Sequence, residues 1–369
     1  MKKSLLAVAV AAALPAAAFA QTNVTLSGIV KLGLANTKMD NGATGNGSGT
    51  SMDDGSSRFI ISGSEDLGGG MKGIFMIDTR FRPDVGTGSL ASGNSFVGVA
   101  GGFGSIRLGR LDTYYQYGTD EFGARAVALQ HSNISILSWV GGVQGTIGGN
   151  TNAAIANASR SSNVIRYDLP AMGGLSGGLT YTNNFSTAPG ADDGAVGDPS
   201  KGTAWSLDLA WRGGPITVGG AYWDADYEGL PTNDGQQSWR LYGSYNFGIF
   251  TAGLTYDDSK IKGATDAKRT AWSIPLTAKL GPGTLLFTYT AAGDVKAGGT
   301  LADTGAKMFA IGYDYPLSKR TSVGVSYANL KNDANANYAL FTMNALGGHT
   351  NPVVGQDVRQ FYVGLRHAF

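Results

Sequence analysis

The chain has 369 residues, with 28 Lys and Arg against 27 Asp and Glu for a formal net charge of +1, 57 glycines, no cysteine and only 15% charged residues. The lack of cysteine excludes a disulfide-stapled scaffold, and the balanced charge gives no global field that would attract nucleic acid. Past Gln21 no apolar run approaches the ~18 residues of a membrane-spanning helix, so a helical membrane protein is excluded too.

At the N-terminus, Lys2 and Lys3 precede the apolar run Leu5 to Leu14 and then Ala18-Phe19-Ala20 before Gln21. These are the charged region, hydrophobic region and A-x-A cleavage site of a secretory signal peptide. Pro15 interrupts the run, and it is shorter than the ~20 residues a spanning helix needs. The sequence therefore predicts a cleaved signal peptide over 1–20 and one mature domain over 21–369. Removing Lys2 and Lys3 leaves 26 basic against 27 acidic residues, a net charge of −1, so electrostatic function must come from local placement.

From Gln21 onward the dominant signal is a two-residue rhythm. Val24, Leu26, Val30, Leu32 and Leu34 share one face, and Thr25, Ser27, Lys31 and Ala35 the other. The rhythm recurs in Leu207-Leu209-Trp211, in Trp239-Leu241-Gly243-Tyr245-Phe247 and in Phe309-Ile311-Tyr313-Tyr315, each against a more polar face. A strand with one greasy and one wet face fits a bilayer-crossing β-strand, which needs about ten residues; about sixteen such segments can be traced, more than a soluble sandwich uses.

The connectors alternate in length. Tight turns fall at Leu67 to Gly70, Gly102 to Phe103, Pro170 to Gly173, Gly213 to Pro215, Gly248, Gly281 to Gly283 and Pro316 to Lys319. Longer Gly-, Ser-, Asn- and Asp-rich segments run near 38–56, 83–93, 111–160, 186–202, 228–235, 260–267, 295–304 and 332–356. Short periplasmic turns and long extracellular loops are the pattern of an outer-membrane barrel. Tyr167, Tyr181, Trp205, Trp211, Tyr222, Trp223, Trp239 and Trp272 lie near strand ends, where amphipathic rings suit the headgroup level. The last strand, Asp357 to Phe369, keeps the rhythm to the terminal Phe, which makes sense where a bilayer covers one face.

Ser57-Arg58-Phe59 with Gly63-Ser64-Glu65-Asp66-Leu67-Gly68-Gly69-Gly70-Met71-Lys72, Phe96-Val97-Gly98 to Leu108-Gly109-Arg110, Asn163 to Tyr167 with Pro170, and Val363 to Phe369 together resemble the general trimeric porins of β-proteobacteria, the group that includes the neisserial porins. The resemblance implies an all-β fold, a 16-stranded antiparallel transmembrane barrel, assembled as a homotrimer, whose third long loop folds inward and narrows a water-filled channel. Here that loop is Leu111 to Arg160, and Asp120-Glu121-Phe122-Gly123 resembles the acidic stretch of porin constriction loops. The resemblance also makes Phe369 part of a signal read by the outer-membrane insertion machinery.

Parity places Lys31, Arg58, Arg80, Arg107, Arg166, Arg212 and Arg240 on the inner wall, with Asp78 and Asp208 as the main acids there. Along a water-filled channel such charges stay solvated and project a field across it. The expected constriction is Arg58, Asp78, Arg80, Arg107 and Arg166 facing Asp120 and Glu121, with Lys31, Arg212 and Arg240 as further lumen charge. The basic excess predicts an anion-preferring channel for ions and small hydrophilic solutes.

Catalytic signals are sparse. His131, His349 and His367 are widely separated, with no nucleophile elbow or phosphate loop. A barrel phospholipase or protease, or an adhesin-like barrel, is the alternative reading. Asp224-x-Asp226-x-Glu228-Gly229 starts like a calcium loop, but Gly235 stands where the bidentate Glu is required. No metal, cofactor or nucleic acid is expected; the partners expected are two further copies, lipid with lipopolysaccharide, and the insertion machinery.

Overall fold

The structure, a computed structural model, describes residues 23–40, 47–118, 127–129, 131–137, 141–143, 146–147, 150–151, 160–183, 202–227, 235–341 and 352–369. The predicted signal peptide lies outside the described residues. Sixteen long strands form one closed antiparallel barrel. They are β1 (Asn23–Asp40), β2 (Arg58–Gly68), β3 (Met71–Arg82), β4 (Ser95–Gly101), β5 (Gly104–Asp112), β6 (Arg160–Asp168), β7 (Leu175–Asn183) and β8 (Gly202–Gly213). The series continues with β9 (Ile216–Tyr227), β10 (Gly235–Asn246), β11 (Phe250–Lys262), β12 (Ala267–Leu280), β13 (Gly283–Ala292), β14 (Ala306–Pro316), β15 (Thr321–Asn332) and β16 (Asp357–Ala368).

Each strand pairs with its sequence neighbour, and β1 closes on β16 from Ile29 opposite Ala368 to Asp40 opposite Asp357. A barrel crossing lipid must have no free edge, because an unpaired backbone group in hydrocarbon has no water to bond. The closure runs to the last residue: Gly28 and Phe369 exchange both backbone hydrogen bonds at 3.1 Å. A Cβ at Gly28 would run into the Phe369 ring, so the glycine is what seats that ring.

The turns fall where the sequence puts them. At the β2–β3 turn Gly68, Gly69 and Gly70 all have positive φ, a region costly for any residue with a Cβ. One irregularity was not foreseen. The upper part of β1 pairs with a separate strand, Gly47–Asp54, and its lower part pairs with β2. Between them Ser57 donates its backbone N–H to Asp54 at 2.9 Å and its hydroxyl oxygen accepts from the Lys31 N–H at 3.0 Å.

The outer face carries the predicted apolar band and aromatic belts. Near the loop end one belt steps from strand to strand through Tyr181, Trp205, Tyr222, Trp239, Tyr256, Trp272, Tyr289, Phe309, Tyr327 and Phe361, each opposite or diagonal to the next. Several of its rings touch, as Tyr181 and Trp205 do at 4.5 Å. Near the turns Tyr167, Trp211 and Tyr313 donate to the carbonyls of Phe103, Gly173 and Leu280. Trp223 departs from expectation. It is fully buried on the inner face, packed with Tyr114, Ala204, Ala221 and Ala225, because its parity in β9 is opposite to that of Tyr222.

Candidate functional site

The described parts of the segment between β5 and β6 lie against the inner wall of the barrel. Its first part, a single 3-10 turn at Tyr114–Gln116, packs on Trp223 and the alanines of β8 and β9. Its second part ends in a one-turn helix, Ile134–Leu137, whose Ile136 and Leu137 sit in a pocket of small and apolar residues: Ala271, Ala292, Ala306, Met308, Ala310 and Ala328. Between them Leu129 fills the space left by two glycines of facing strands. A Cβ at Gly312 or at Gly324 would come within 2.7 Å of its methyl carbons. Small residues at inward positions of β12 to β15 thus form the seat for the loop.

Polar anchors fix it in place. Arg240, Asp257 and Arg269, on β10, β11 and β12, are buried as a cluster: Arg240 meets Asp257 at 2.8 Å and Arg269 meets it at 3.1 Å. The donors left over go to the loop backbone. Arg240 donates to the carbonyls of Tyr117 at 2.8 Å and Leu137 at 3.1 Å, and Arg269 donates to those of Ile136 at 2.6 Å and Leu137 at 3.0 Å. The Tyr114 hydroxyl donates to Asp257 at 2.7 Å. Buried charges are tolerable only when most of their hydrogen-bonding capacity is met, and here Asp257 and the loop's carbonyls meet it for all but Arg269 Nε, which is buried without a partner.

Further anchors are the Ala128 N–H to Asp314 at 2.9 Å, Asn133 to Ser273 at 3.2 Å, and Lys31, whose ammonium donates to the Leu129 carbonyl. His131 shares a 3.0 Å hydrogen bond with Gln360, and its other ring nitrogen, Nδ1, is buried without a partner. Burial holds the His131 imidazole down to about 4, so it is neutral at physiological pH. Gly141–Val143 also pairs, strand to strand, with Ala336–Tyr338 of the last loop.

The described part of the loop thus covers the wall from β8 round through β16 to β1. The inner wall of β2 to β5 carries none of these anchors, and two cross-strand arginine pairs stand there and on the neighbouring β6. Arg58 is opposite Arg80, and Arg107 is opposite Arg166. Arg80 holds Asp78 with two hydrogen bonds of 2.9 Å. Asp168 accepts from Arg107 at 2.7 and 2.8 Å and from Arg166 at 2.7 Å, and Arg166 also bridges to Asp208 at 2.6 Å. Arg107 lies 5.1 Å above the Phe96 ring. The Tyr117 phenol of the loop is pushed up by burial and by the Asp208 carboxylate. The two pairs are offset along their strands: Arg107 and Arg166 are near the short-turn ends, Arg58 and Arg80 near the loop ends.

The parity assignment to the inner wall therefore holds for the arginines, but parity does not reveal what covers a side chain. Lys31, 2% exposed, and Arg240, 0% exposed, face inward beneath the loop and anchor it; they do not border open lumen. Arg166 is nearly buried in its ion-pair ladder. Arg212 is exposed, donating to the Ser176 hydroxyl at 3.2 Å. Asp120 and Glu121 lie outside the described residues.

Asp168, Asp257, Asp314 and Arg269 were missed as inner-wall charges. The same alternation points to them, since Asp168 is two residues from Arg166 and Asp257 lies between Thr255 and Ser259. The Asp224–Asp226 stretch faces outward at the rim, where Lys262 takes both carboxylates, at 2.5 and 2.6 Å. Of the histidines, His131 faces Gln360 and His367 faces Thr321 at 2.9 Å, while His349 lies outside the described residues.

Comparison with known proteins fits this geometry. Outer membrane porin protein 32 of Delftia acidovorans is 32% identical over 388 aligned residues, covering 100% of both chains. An anion-selective porin from Comamonas acidovorans superposes with a TM-score of 0.72 at 24% identity, over 95% of this chain and 100% of its own. OmpT of Vibrio cholerae, in its trimer form, gives a TM-score of 0.64 at 15% identity, over 94% of this chain and 99% of its own. Residues 7–335 match the family described as Gram-negative porin. A closed sixteen-stranded barrel with a loop seated inside it, together with full-length relatives of this kind, makes the chain a member of the Gram-negative porin family, located in the outer membrane.

Proposed function

We propose that the protein is a homotrimeric diffusion channel that prefers anions, with its selectivity set where the wall of β2 to β6 faces the inner loop. The observation that carries this reading is the arrangement of the arginines Arg58, Arg80, Arg107 and Arg166 as facing cross-strand pairs on neighbouring inner-wall strands. Asp78, Asp168 and Asp208 compensate them in part, leaving one formal positive charge in this group of seven. Guanidiniums held rigid by carboxylates remain oriented donors, and in a narrow low-dielectric passage they favour a partly dehydrated anion. Asp120 and Glu121 complete the constriction from the loop in this reading, and Lys31 and Arg240 act by holding that loop. The Comamonas neighbour is an anion-selective porin, which agrees with the sign.

A trimer interface on β1 to β5 follows from composition. All 6 Trp and 16 Tyr of the chain lie at residue 114 or beyond, so these five strands carry none. Their outward positions include the exposed apolar residues Val97, Val99, Ile106 and Leu108. A face without interfacial anchors suits contact with other copies better than contact with headgroups. The Vibrio neighbour, described in a trimer form, is consistent with this. The remaining outer face meets lipid and lipopolysaccharide, and Phe369 serves as the assembly signal. The protein works as a channel without catalysis, as its relatives are porins.

The test is the zero-current potential of the reconstituted channel in a salt gradient. Replacing Arg58, Arg80 and Arg107 together by Gln is expected to move it toward cations, most clearly at low salt, where charges act beyond ~10 Å. Unchanged selectivity in a correctly assembled triple variant overturns the assignment of these residues.

A further inference from the structure

The inner wall of an outer-membrane channel is ordinarily polar, and the turn-side inward positions of β1 and β2 follow that rule, with Thr25 and Ser27 on the first and Ser62 and Ser64 on the second. A strip of apolar side chains breaks it. Ile29 on β1, Ile60 on β2, Ile74 and Met76 on β3 and Phe96 on β4 share the inward parity of the arginines. Ile29 is opposite Arg58, Ile60 opposite Asp78, Met76 opposite Phe96, and Ile74 opposite Gly98, which in turn faces Arg107. All five are half-buried, and among the described residues none belongs to the apolar clusters that seat the inner loop.

Guanidiniums border the strip on both sides. Arg58 and Arg80 stand on its loop side, and Arg107, toward the turns, lies 5.1 Å over the Phe96 ring. Gly98 allows that approach, because a Cβ there would come within 3.2 Å of the Arg107 side chain. Arg80 and Arg107 each commit two nitrogens to a carboxylate, that of Asp78 and that of Asp168. The third nitrogen of each, Nη1, makes no hydrogen bond among the described residues, so each keeps donors for another anion. Asp78 is 3% exposed and held by Arg80, so it turns no open carboxylate toward the strip.

We propose that this strip holds the apolar body of an organic monocarboxylate in passage, while Arg80 or Arg107 takes its carboxylate. The class is an acid carrying one aromatic ring on a short chain. Neighbouring strands stand about 4.8 Å apart, so Ile60, Met76 and Phe96 on three successive strands cover about 10 Å of wall, enough for such a body. Phe96 adds a ring face for it. An inorganic anion uses the guanidiniums alone and gains nothing from the strip, and a polyhydroxylated acid loses hydration against it. The bordering cations in turn favour an anion over a neutral apolar solute. The proposal rests on the anion-channel reading and adds to it a discrimination among anions of equal charge.

The experiment measures bi-ionic potentials of the intact protein in planar bilayers, with chloride on one side and either 3-phenylpropionate or gluconate on the other. Covering one face of a ring is expected to make 3-phenylpropionate about tenfold more permeant than gluconate. The variant Ile60→Thr/Ile74→Thr/Met76→Thr places strand-forming polar side chains on the wall. It is expected to bring the two anions within about twofold of each other and to leave the preference for chloride over potassium unchanged, whereas Ile60→Val/Ile74→Val/Met76→Leu keeps the tenfold difference. No preference in the native protein overturns the proposal without any variant, and so does an undiminished preference in the assembled Thr variant. Equal block of the chloride current by 3-phenylpropanol and 3-phenylpropionate also overturns it, since the carboxylate then plays no part. A native protein without the preference whose chloride current changes in the Thr variant assigns the strip to the inner loop instead. The two readings fail separately: a reversed KCl potential strikes the overall sign of selectivity, and a lost organic-anion preference at an unchanged KCl potential strikes only the strip.

Discussion

Arg240, Asp257 and Arg269 show how single residues hold the inner loop. One carboxylate serves two buried guanidiniums, and the loop carbonyls of Tyr117, Ile136 and Leu137 take up donors that remain. Removing the carboxylate leaves two cations in a dry site, so Asp257→Ala is expected to destabilise the folded form by about 3–5 kcal/mol. The loss of the folded, heat-modifiable form in denaturant reads this, and a change below about 1 kcal/mol contradicts the anchoring role. His131 adds a dependence on pH. Above its ordinary value of 6.5 the ring is neutral both folded and unfolded, and nothing is lost. As pH falls from 6.5 the unfolded chain binds a proton that the folded site refuses until about 4. Stability therefore falls across that window, by about 3 kcal/mol in all, and is flat with respect to this group below it. Channel noise rising between pH 6.5 and 4 in the native protein but not in His131→Gln is the expected result; identical pH profiles would remove the histidine from the account.

The strands were the most legible elements, because alternation fixes their faces and glycine fixes their turns. The inner loop was not. Its residues show no period, and its path is set by complementary space on distant strands, such as the room Gly312 and Gly324 leave for Leu129. For the same reason Lys31 and Arg240 read as lumen charges and prove to be anchors: alternation tells which face a side chain is on and nothing about its neighbours. At Trp223 parity overrides ring type: its register in β9 turns the indole inward, away from the headgroup level. The last strand behaves as its sequence suggests, with Phe369 tied to Gly28 through both backbone hydrogen bonds. Deleting Phe369 removes that pair and exposes unpaired backbone at the seam, so assembled protein in the outer membrane is expected to drop while export continues. Normal yield of the folded form would show that the seam closes without it.

Across the whole molecule, the distribution of aromatic residues divides the outer surface into a lipid-facing arc and the face of β1 to β5 that lacks Tyr and Trp. The chain has no cysteine, so single cysteines can carry a spin label without interference. A label at Val97 on β4 is expected to be shielded from lipid-soluble oxygen in the assembled protein, and one at Ile274 on β12 to be fully accessible. Equal accessibility would place both on lipid and contradict the trimer face. The inner surface is divided in a matching way. Among the described residues the loop is fastened to β8 through β16 and β1, with its Tyr117 ring 5.9 Å from Arg166, and the arginine pairs stand on β2 to β6; the function proposed here depends on that asymmetry of charge. The most direct test is the zero-current potential of the native protein in a planar bilayer separating two KCl concentrations. The expected result is a large, stably open conductance with a potential whose sign shows chloride crossing more readily than potassium; a potential of the opposite sign, or a bilayer that stays closed, would contradict an anion-preferring channel.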